Sequence, residues 1–300
     1  MKILLYESIT ATNADLLLNR KYNKLPSLLQ MGLSMRNALE NDLKKIKNSS
    51  LIIGKHSTGD SMSSYLKKIK PEIDIVWIIA PETNNELIKA KEILSNKLWV
   101  GCEKIALKLT TNKLMTKKKL LEFNILNPDS NIYKTLFPCE YIIKPKDGAG
   151  CENTRKYTSY DNAKKSLIFH IAQGENVLLE RFIPGQAMSF SMLCSPKKFE
   201  VISINRQLIN IKKNGKLSYD GISRLNHEID QQLKIKTDNV ANKIRRAIPG
   251  LKGFVGVDFI LDQDSNICVV EINPRITCSY VGLSNHLHRS LAQEILNICL

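Results

Sequence analysis

Asp258, Glu271, Asn273 and Arg275 are the residues whose types and spacing point most directly to chemistry. Asp258 closes the apolar run Gly253-Phe254-Val255-Gly256-Val257, which continues as Phe259-Ile260-Leu261. Glu271 follows a second run, Ile267-Cys268-Val269-Val270, and opens Glu271-Ile272-Asn273-Pro274-Arg275. Between them Asp262-Gln263-Asp264-Ser265-Asn266 is dense in turn formers, which predicts a β-hairpin. Pairing across that turn brings the two acids together, with Asn273 on the same strand face as Glu271. A carboxylate inside an apolar strand is costly unless a cation or donor satisfies it. Two carboxylates and an amide form an all-oxygen site for a hard cation. Mg²⁺ suits it, because it takes one or two carboxylates and completes its octahedron with phosphate oxygens and water. An edge hairpin with solvated acids is the alternative, and context decides between them.

That context lies upstream. Tyr141-Ile142-Ile143-Lys144-Pro145 reads as a short buried strand ending in a lysine, followed by the flexible loop Lys146-Asp147-Gly148-Ala149-Gly150-Cys151. Glycines let a backbone approach a phosphate and turn N–H groups toward it, while lysine adds a mobile charge. Neither this loop nor Gly54-Lys55-His56-Ser57 is a Walker A sequence: the first lacks the Gly-Lys-Ser/Thr ending, the second its upstream glycine. A third piece, Val177-Leu178-Leu179-Glu180-Arg181-Phe182-Ile183-Pro184-Gly185, is an apolar strand running into a turn. Such a strand-to-loop hinge can offer an adenine ring an apolar slot with backbone donors and acceptors at its edge.

Taken in this order, the motifs resemble the ATP-grasp superfamily from about residue 105 to 300. The resemblance implies that Lys113 and Lys144 are the nucleotide lysines and that Gly148, Ala149 and Gly150 form the flexible cover of the γ-phosphate. It also implies that Glu180, Arg181 and Phe182 form the adenine hinge. Asp258, Glu271 and Asn273 become magnesium ligands, for two ions that Mn²⁺ can replace, and Arg275 the cation beside the transferred phosphoryl group, with Lys144 and Arg275 the catalytic pair. One departure stands out. Members often place a second Glu after the hinge for the ribose hydroxyls, whereas Gln186-Ala187 occupies that stretch here, leaving Gln186 as the ribose candidate.

Ile78-Ile79-Ala80-Pro81-Glu82-Thr83, Ser203-Ile204-Asn205-Arg206-Gln207 and the segment from Glu271 to Leu283 resemble one branch of these ligases, the tyramine–glutamate ligase-like branch of methanofuran biosynthesis. That resemblance implies an ATP-dependent carboxylate–amine ligase that forms an amide through an acyl phosphate and releases ADP and phosphate. Its expected partners are a small-molecule carboxylate and an amine, such as glutamate and tyramine, and its expected assembly a homodimer. An ATP-grasp kinase or carboxylase, or a nucleotide-binding regulatory module without turnover, are the alternatives. For substrate contacts, Arg206 and Arg224 could each clamp a carboxylate or be surface charge. Ser279 and Tyr280 could meet the acceptor, and Glu82 could touch substrate or begin a helix.

The elements that must position these residues follow from pattern. An α/β domain is expected over residues 1–105, with strands at 3–6, 50–53 and 75–79 and helices at 25–46 and 88–94. The ATP-grasp N-terminal part with its α+β lid is expected over 106–182, including a helical region over 104–122 that carries Lys113. A C-terminal antiparallel subdomain with the metal site is expected over 183–300. There, strands at 188–194 and 199–204, a loop at 219–224 folding toward the cleft, and helices at 233–248 and from 283 onward surround the acidic hairpin. The fold class is thus α/β plus α+β.

Composition bounds the rest. Hydrophobic content of 43% and charged content of 24% suit a globular protein. No apolar run approaches the roughly 20 residues that span a bilayer, and the N-terminus reads as a strand rather than a signal peptide. Seven cysteines, odd in number and several inside apolar runs, point to reduced thiols and a cytoplasmic setting; no Cys/His spacing suggests zinc. The net charge of +15 reads as lysines spread over helix faces, Lys117-Lys118-Lys119 among them, without the interleaved aromatics that nucleic-acid binding would need.

Overall fold

In the computed structural model, residues 1–12, 27–57, 59–134, 139–148, 150–225 and 231–300 are described. Four parallel strands, β1 (Lys2–Glu7), β2 (Ser50–Ile53), β3 (Ile75–Ile79) and β4 (Leu98–Val100), form the first sheet in the order β2-β1-β3-β4. The helices around it are α1 (Ser8–Thr12), α2 (Ser27–Leu43), α3 (Met62–Ile69) and α4 (Glu86–Ile93). All five residues of β3 are buried, as a parallel strand covered on both faces requires. Leu4, Tyr6, Val76 and Ile78 fill one core, and Ile3, Leu5, Ile75 and Trp77 the other. The first core continues without a break into Phe190, Val257 and Phe259 of the C-terminal sheet. Burial on both sides of the junction holds the α/β domain against the rest of the chain.

The helical stretch over 104–122 divides in two, α5 (Lys104–Thr111) and α6 (Lys113–Glu122). Asn112 makes the break, its side chain accepting from the N–H groups of Leu114 and Met115 at 3.1 Å each. That N-cap places Lys113 in the first position of α6. After α7 (Asn131–Lys134) come β5 (Tyr141–Pro145), β6 (Arg155–Tyr157), α8 (Tyr160–Ala172) and β7 (Val177–Arg181). The strands form an antiparallel sheet in the order β6-β5-β7 under α8. Ala149 and the start of the helix expected over 25–46 lie outside the described residues.

The third sheet, in the order β10-β9-β8-β11-β12, contains β8 (Gly185–Cys194), β9 (Phe199–Ile211), β10 (Leu217–Arg224), β11 (Gly253–Asp262) and β12 (Ile267–Asn273). Helix α9 (Gln231–Ala247) packs on it, and α10 (Leu283–Leu287) and α11 (Leu291–Cys299) close the chain. Two expectations need correction. Strand β9 continues well past Ile204 to Ile211, and residues 219–224 are not a loop but most of β10. Asp220-Gly221 has the composition of a turn, yet Gly221 (φ +113°) instead accommodates a break in the β9–β10 register between Tyr219 and Ile222. The bulged strand keeps its ladder, and Tyr219 and Ile222 both line the cleft.

Candidate active site

The acidic hairpin forms as its sequence pattern requires. Asp258 stands opposite Glu271, and the register slips immediately after Asp258. Both acids line a cleft of about 690 Å³ enclosed by all three sheets, together with Asn273, Arg275, Lys113, Lys144, Gly148, Gly150, Glu180, Arg181 and Phe182. Residues from four separate segments of sequence therefore meet around one space.

Asp258 is held by two amides. Its Oδ1 accepts from Gln207 Nε2 at 2.7 Å and its Oδ2 from Asn273 Nδ2 at 3.0 Å. Burial and the neighbouring charge of Glu271 nevertheless push its carboxyl up to about 7. Lys113 Nζ lies 2.8 Å from Glu271 Oε1 and donates to the carbonyl of Gly148 at 3.2 Å. Burial works against the Lys113 ammonium, but Glu271 outweighs it and raises the lysine pKa. Lys113 is thus the cation that sits on this buried oxygen. Two neighbouring acids that repel each other on the wall of one cleft fit a divalent cation. Among the described residues, no three His, Cys, Asp or Glu side chains are grouped so as to hold a metal ion by themselves. The set is thus two carboxylates and one amide, right for an ion that draws its other ligands from phosphates and water.

At the opposite end, Glu180 is bracketed by lysines. Lys144 Nζ is 2.5 Å from its Oε1 and Lys117 Nζ is 3.4 Å from its Oε2. Lys117 also pairs with Asp129 at 2.8 Å. Only 6% of its side chain is exposed, so it does not belong to the solvated lysine run that the sequence suggests. The signal available was its spacing: Lys117 is one helical turn from Lys113 and shares its face. The glycine loop reaches the α/β domain, where Asp147 accepts from the N–H of Asn84 at 3.2 Å. Leu28 and Met31 of α2 approach within 3.1 Å of where a side chain on Gly150 (φ +66°) would begin.

Arg275 and Glu82 form a bidentate pair, Nε to Oε1 at 3.0 Å and Nη2 to Oε2 at 2.8 Å, with Nη1 donating to the carbonyl of Ile276 at 3.2 Å. Burial opposes the Arg275 charge, but Glu82 outweighs it and raises the pKa. Glu82 is 1% exposed, so it acts on Arg275 and not directly on a ligand. Three N–H donors of Arg275 are used, and a guanidinium has two more with which to meet an anion in the cleft.

Other nominated residues fall elsewhere. Gln186 is exposed, while its neighbours Gly185 and Ala187 line the cleft. Arg206 is exposed too, because strand alternation gives the cleft face to Gln207 and Ile209. Arg224 donates to the backbone carbonyls of Ser279 (3.2 Å) and Val281 (3.0 Å), so it holds that loop. Tyr280 is a core residue, 1% exposed, and its hydroxyl donates to Asp42 at 2.8 Å. Ser279 does line the cleft, hydrogen-bonded to Ser191 at 2.6 Å and Thr277 at 2.7 Å. Glu7, which the sequence did not single out, lines the cleft as a buried carboxylate among Ile9, Met31 and Met35. Burial raises its pKa, although it accepts from the N–H of Thr10 at 2.7 Å.

Comparison with known proteins identifies the family and the fold. An ATP-grasp domain model matches residues 110–279 and a pre ATP-grasp domain model residues 35–107. Tyramine–L-glutamate ligase of Methanocaldococcus jannaschii is 32% identical over 247 residues, 82% of this chain and 67% of the relative. That of Methanocaldococcus fervens is 29% identical, covering 85% and 83%. Among solved structures, a putative ATP-grasp superfamily protein from Archaeoglobus fulgidus superposes with a TM-score of 0.69 at 23% identity, covering 99% of this chain and 88% of that one. D-alanine–D-alanine ligase from Bacillus anthracis superposes with a TM-score of 0.70 at 14% identity, covering 100% and 97%. The chain belongs to the ATP-grasp family. Within it, the chain is an ATP-dependent carbon–nitrogen ligase. No helix among the described residues is long and apolar enough to cross a membrane.

Proposed function

We propose that this protein condenses a small carboxylic acid with an amine through an acyl phosphate, and that the pair is glutamate and an amine such as tyramine, in a methanofuran-type biosynthesis. The observation that carries the reading is the convergence of Lys113, Lys144, Arg275 and the Asp258–Glu271–Asn273 set on one cleft. The names of the two tyramine–L-glutamate ligases support the choice of substrates.

Amide formation from a carboxylate is uphill in water, so the acid must first gain a leaving group. Phosphoryl transfer from ATP supplies one, and the residues' task is positioning and charge neutralisation. Lys113 and Lys144, paired here with Glu271 and Glu180, would turn to the nucleotide phosphates. Magnesium held by Asp258, Glu271 and Asn273 would supply neutralisation of the β- and γ-phosphate oxygens. Arg275, fixed by Glu82, would face the transferred phosphoryl group and then the oxyanion that forms when the amine attacks. The glycine loop, already in contact with the α/β domain, would keep water from the acyl phosphate. Glu7 would give a substrate ammonium a counter-charge on an otherwise apolar wall.

Mg²⁺-dependent ADP release against a panel of acids and amines, with product mass spectrometry, tests this. Release that needs both partners, yields an amide and is lost in Glu271→Gln is the expected result. Sustained ADP release with no amide from any pair, or full turnover in Glu271→Gln, would overturn it.

A further inference from the structure

The pairing of Glu180 goes beyond what phosphate binding needs. Lys144 reaches Oε1 from β5, while Lys117 reaches Oε2 from α6 and is itself too buried to meet solvent. Lys117 also carries the loop before α7: Asp129 pairs with its ammonium, and Asn127 Nδ2 lies 3.4 Å from its carbonyl. When Lys144 turns toward phosphate, Lys117 is the cation that stays beside Glu180. A carboxylate accepts hydrogen bonds and donates none, and Lys117 fixes the direction in which this one accepts.

The purine edge distinguishes such a carboxylate from a neutral acid. A 6-amino purine presents a donor at its 6-position and a 6-oxo purine an acceptor, which an ionised carboxylate repels. We infer that Lys117 is a specificity-determining residue, which holds Glu180 in place as an acceptor at the purine edge and so gives the hinge its preference for a 6-amino over a 6-oxo purine nucleotide. This rests on the proposed placement of the nucleotide base at Glu180. Without Lys117, Glu180 retains one cationic partner that phosphate can draw away. The carboxylate is then free to swing away from the purine edge, and the penalty on a 6-oxo group falls.

The test is competitive displacement of a fluorescent ATP analogue by ATP and by ITP, which differ at that edge and its adjoining ring nitrogen. It needs no acid or amine. The unaltered protein should favour ATP, and in Lys117→Met the ATP/ITP preference should fall by about tenfold or more. Lys117→Arg, which keeps the charge, should restore it. Asp129→Asn separates the two jobs of Lys117, because it releases the loop while leaving the cation on Glu180; its preference should match the unaltered protein. An unchanged ATP/ITP ratio in Lys117→Met, or an equal collapse in Asp129→Asn, would overturn the role of Lys117. If Lys117→Met does not fold, Lys117→Gln serves the same comparison. Displacement by neither triphosphate from the unaltered protein would overturn the nucleotide reading as well.

Discussion

Replacing Asp258 with Asn should make the ligand-free protein more stable while destroying its activity. The carboxyl rises from its ordinary value of 3.8 to about 7 because it is buried beside Glu271. At about 1.4 kcal/mol per pH unit, holding it ionised costs roughly 4 kcal/mol at most. Asn removes that cost but places an amide where both oxygens now accept, from Gln207 and Asn273. One of those side-chain amides must turn over to present its oxygen, which returns about 1–2 kcal/mol of the gain. A net stabilisation of about 2–3 kcal/mol at most remains, a rise in melting temperature of about 3–5 °C. The sign of the pH dependence is fixed. Between about pH 4 and 7 the folded chain binds a proton that the unfolded chain has released, so native stability from this group falls as pH rises through that window. The advantage of Asp258→Asn should therefore be full at pH 8 and vanish near pH 4–5. Calorimetry in chelator at pH 5, 7 and 8 measures it. A variant less stable than the unaltered protein at pH 8, or a gain independent of pH, would refute the reasoning.

The same titration should govern metal binding: because magnesium competes with the proton on Asp258, its apparent affinity should rise about fivefold from pH 6 to 7, about tenfold by pH 8, and level off above, read from the Mg²⁺ dependence of nucleotide binding. Glu82→Gln should lower kcat by about ten- to a hundredfold with little change in the KM for ATP, and should destabilise the fold by about 3–5 kcal/mol, because it strips the buried Arg275 of its counter-charge. Equal effects on KM and kcat would assign Glu82 to binding instead. Tyr280→Phe should cost about 1–2 kcal/mol of stability by removing the donor to Asp42 and leave kcat/KM unchanged, whereas Arg206→Ala should change neither within about 0.5 kcal/mol.

The hairpin was legible in the sequence because its information is local: an apolar run on each side of five turn formers pairs across the turn and brings Asp258 opposite Glu271. The parallel strands were legible for the same reason, and β2 and β3 fall on the expected residues. What the sequence left open depends on distant partners. Glu82 suits a substrate contact or a helix start equally well until Arg275, 193 residues away, is seen to hold it. Tyr280 follows a chemical motif and reads as a mouth residue, but Asp42, 238 residues earlier, draws its hydroxyl into the core. Lys117 was hidden in a three-lysine run of which it is the buried member, and its partners Asp129 and Glu180 lie on other elements. Strand β10 was hidden by Asp220-Gly221, where local turn propensity yields to pairing with β9.

The acyl phosphate is the claim on which the mechanism turns, and oxygen transfer tests it most directly. The acid that supports ADP release would be labelled with ¹⁸O in its carboxyl group and converted with its amine partner, and the released phosphate analysed by mass spectrometry. Attack of the carboxylate on the γ-phosphoryl group predicts one ¹⁸O in each phosphate, carried over when the amine breaks the acyl–oxygen bond. Unlabelled phosphate, with all ¹⁸O retained in other products, would contradict the mechanism.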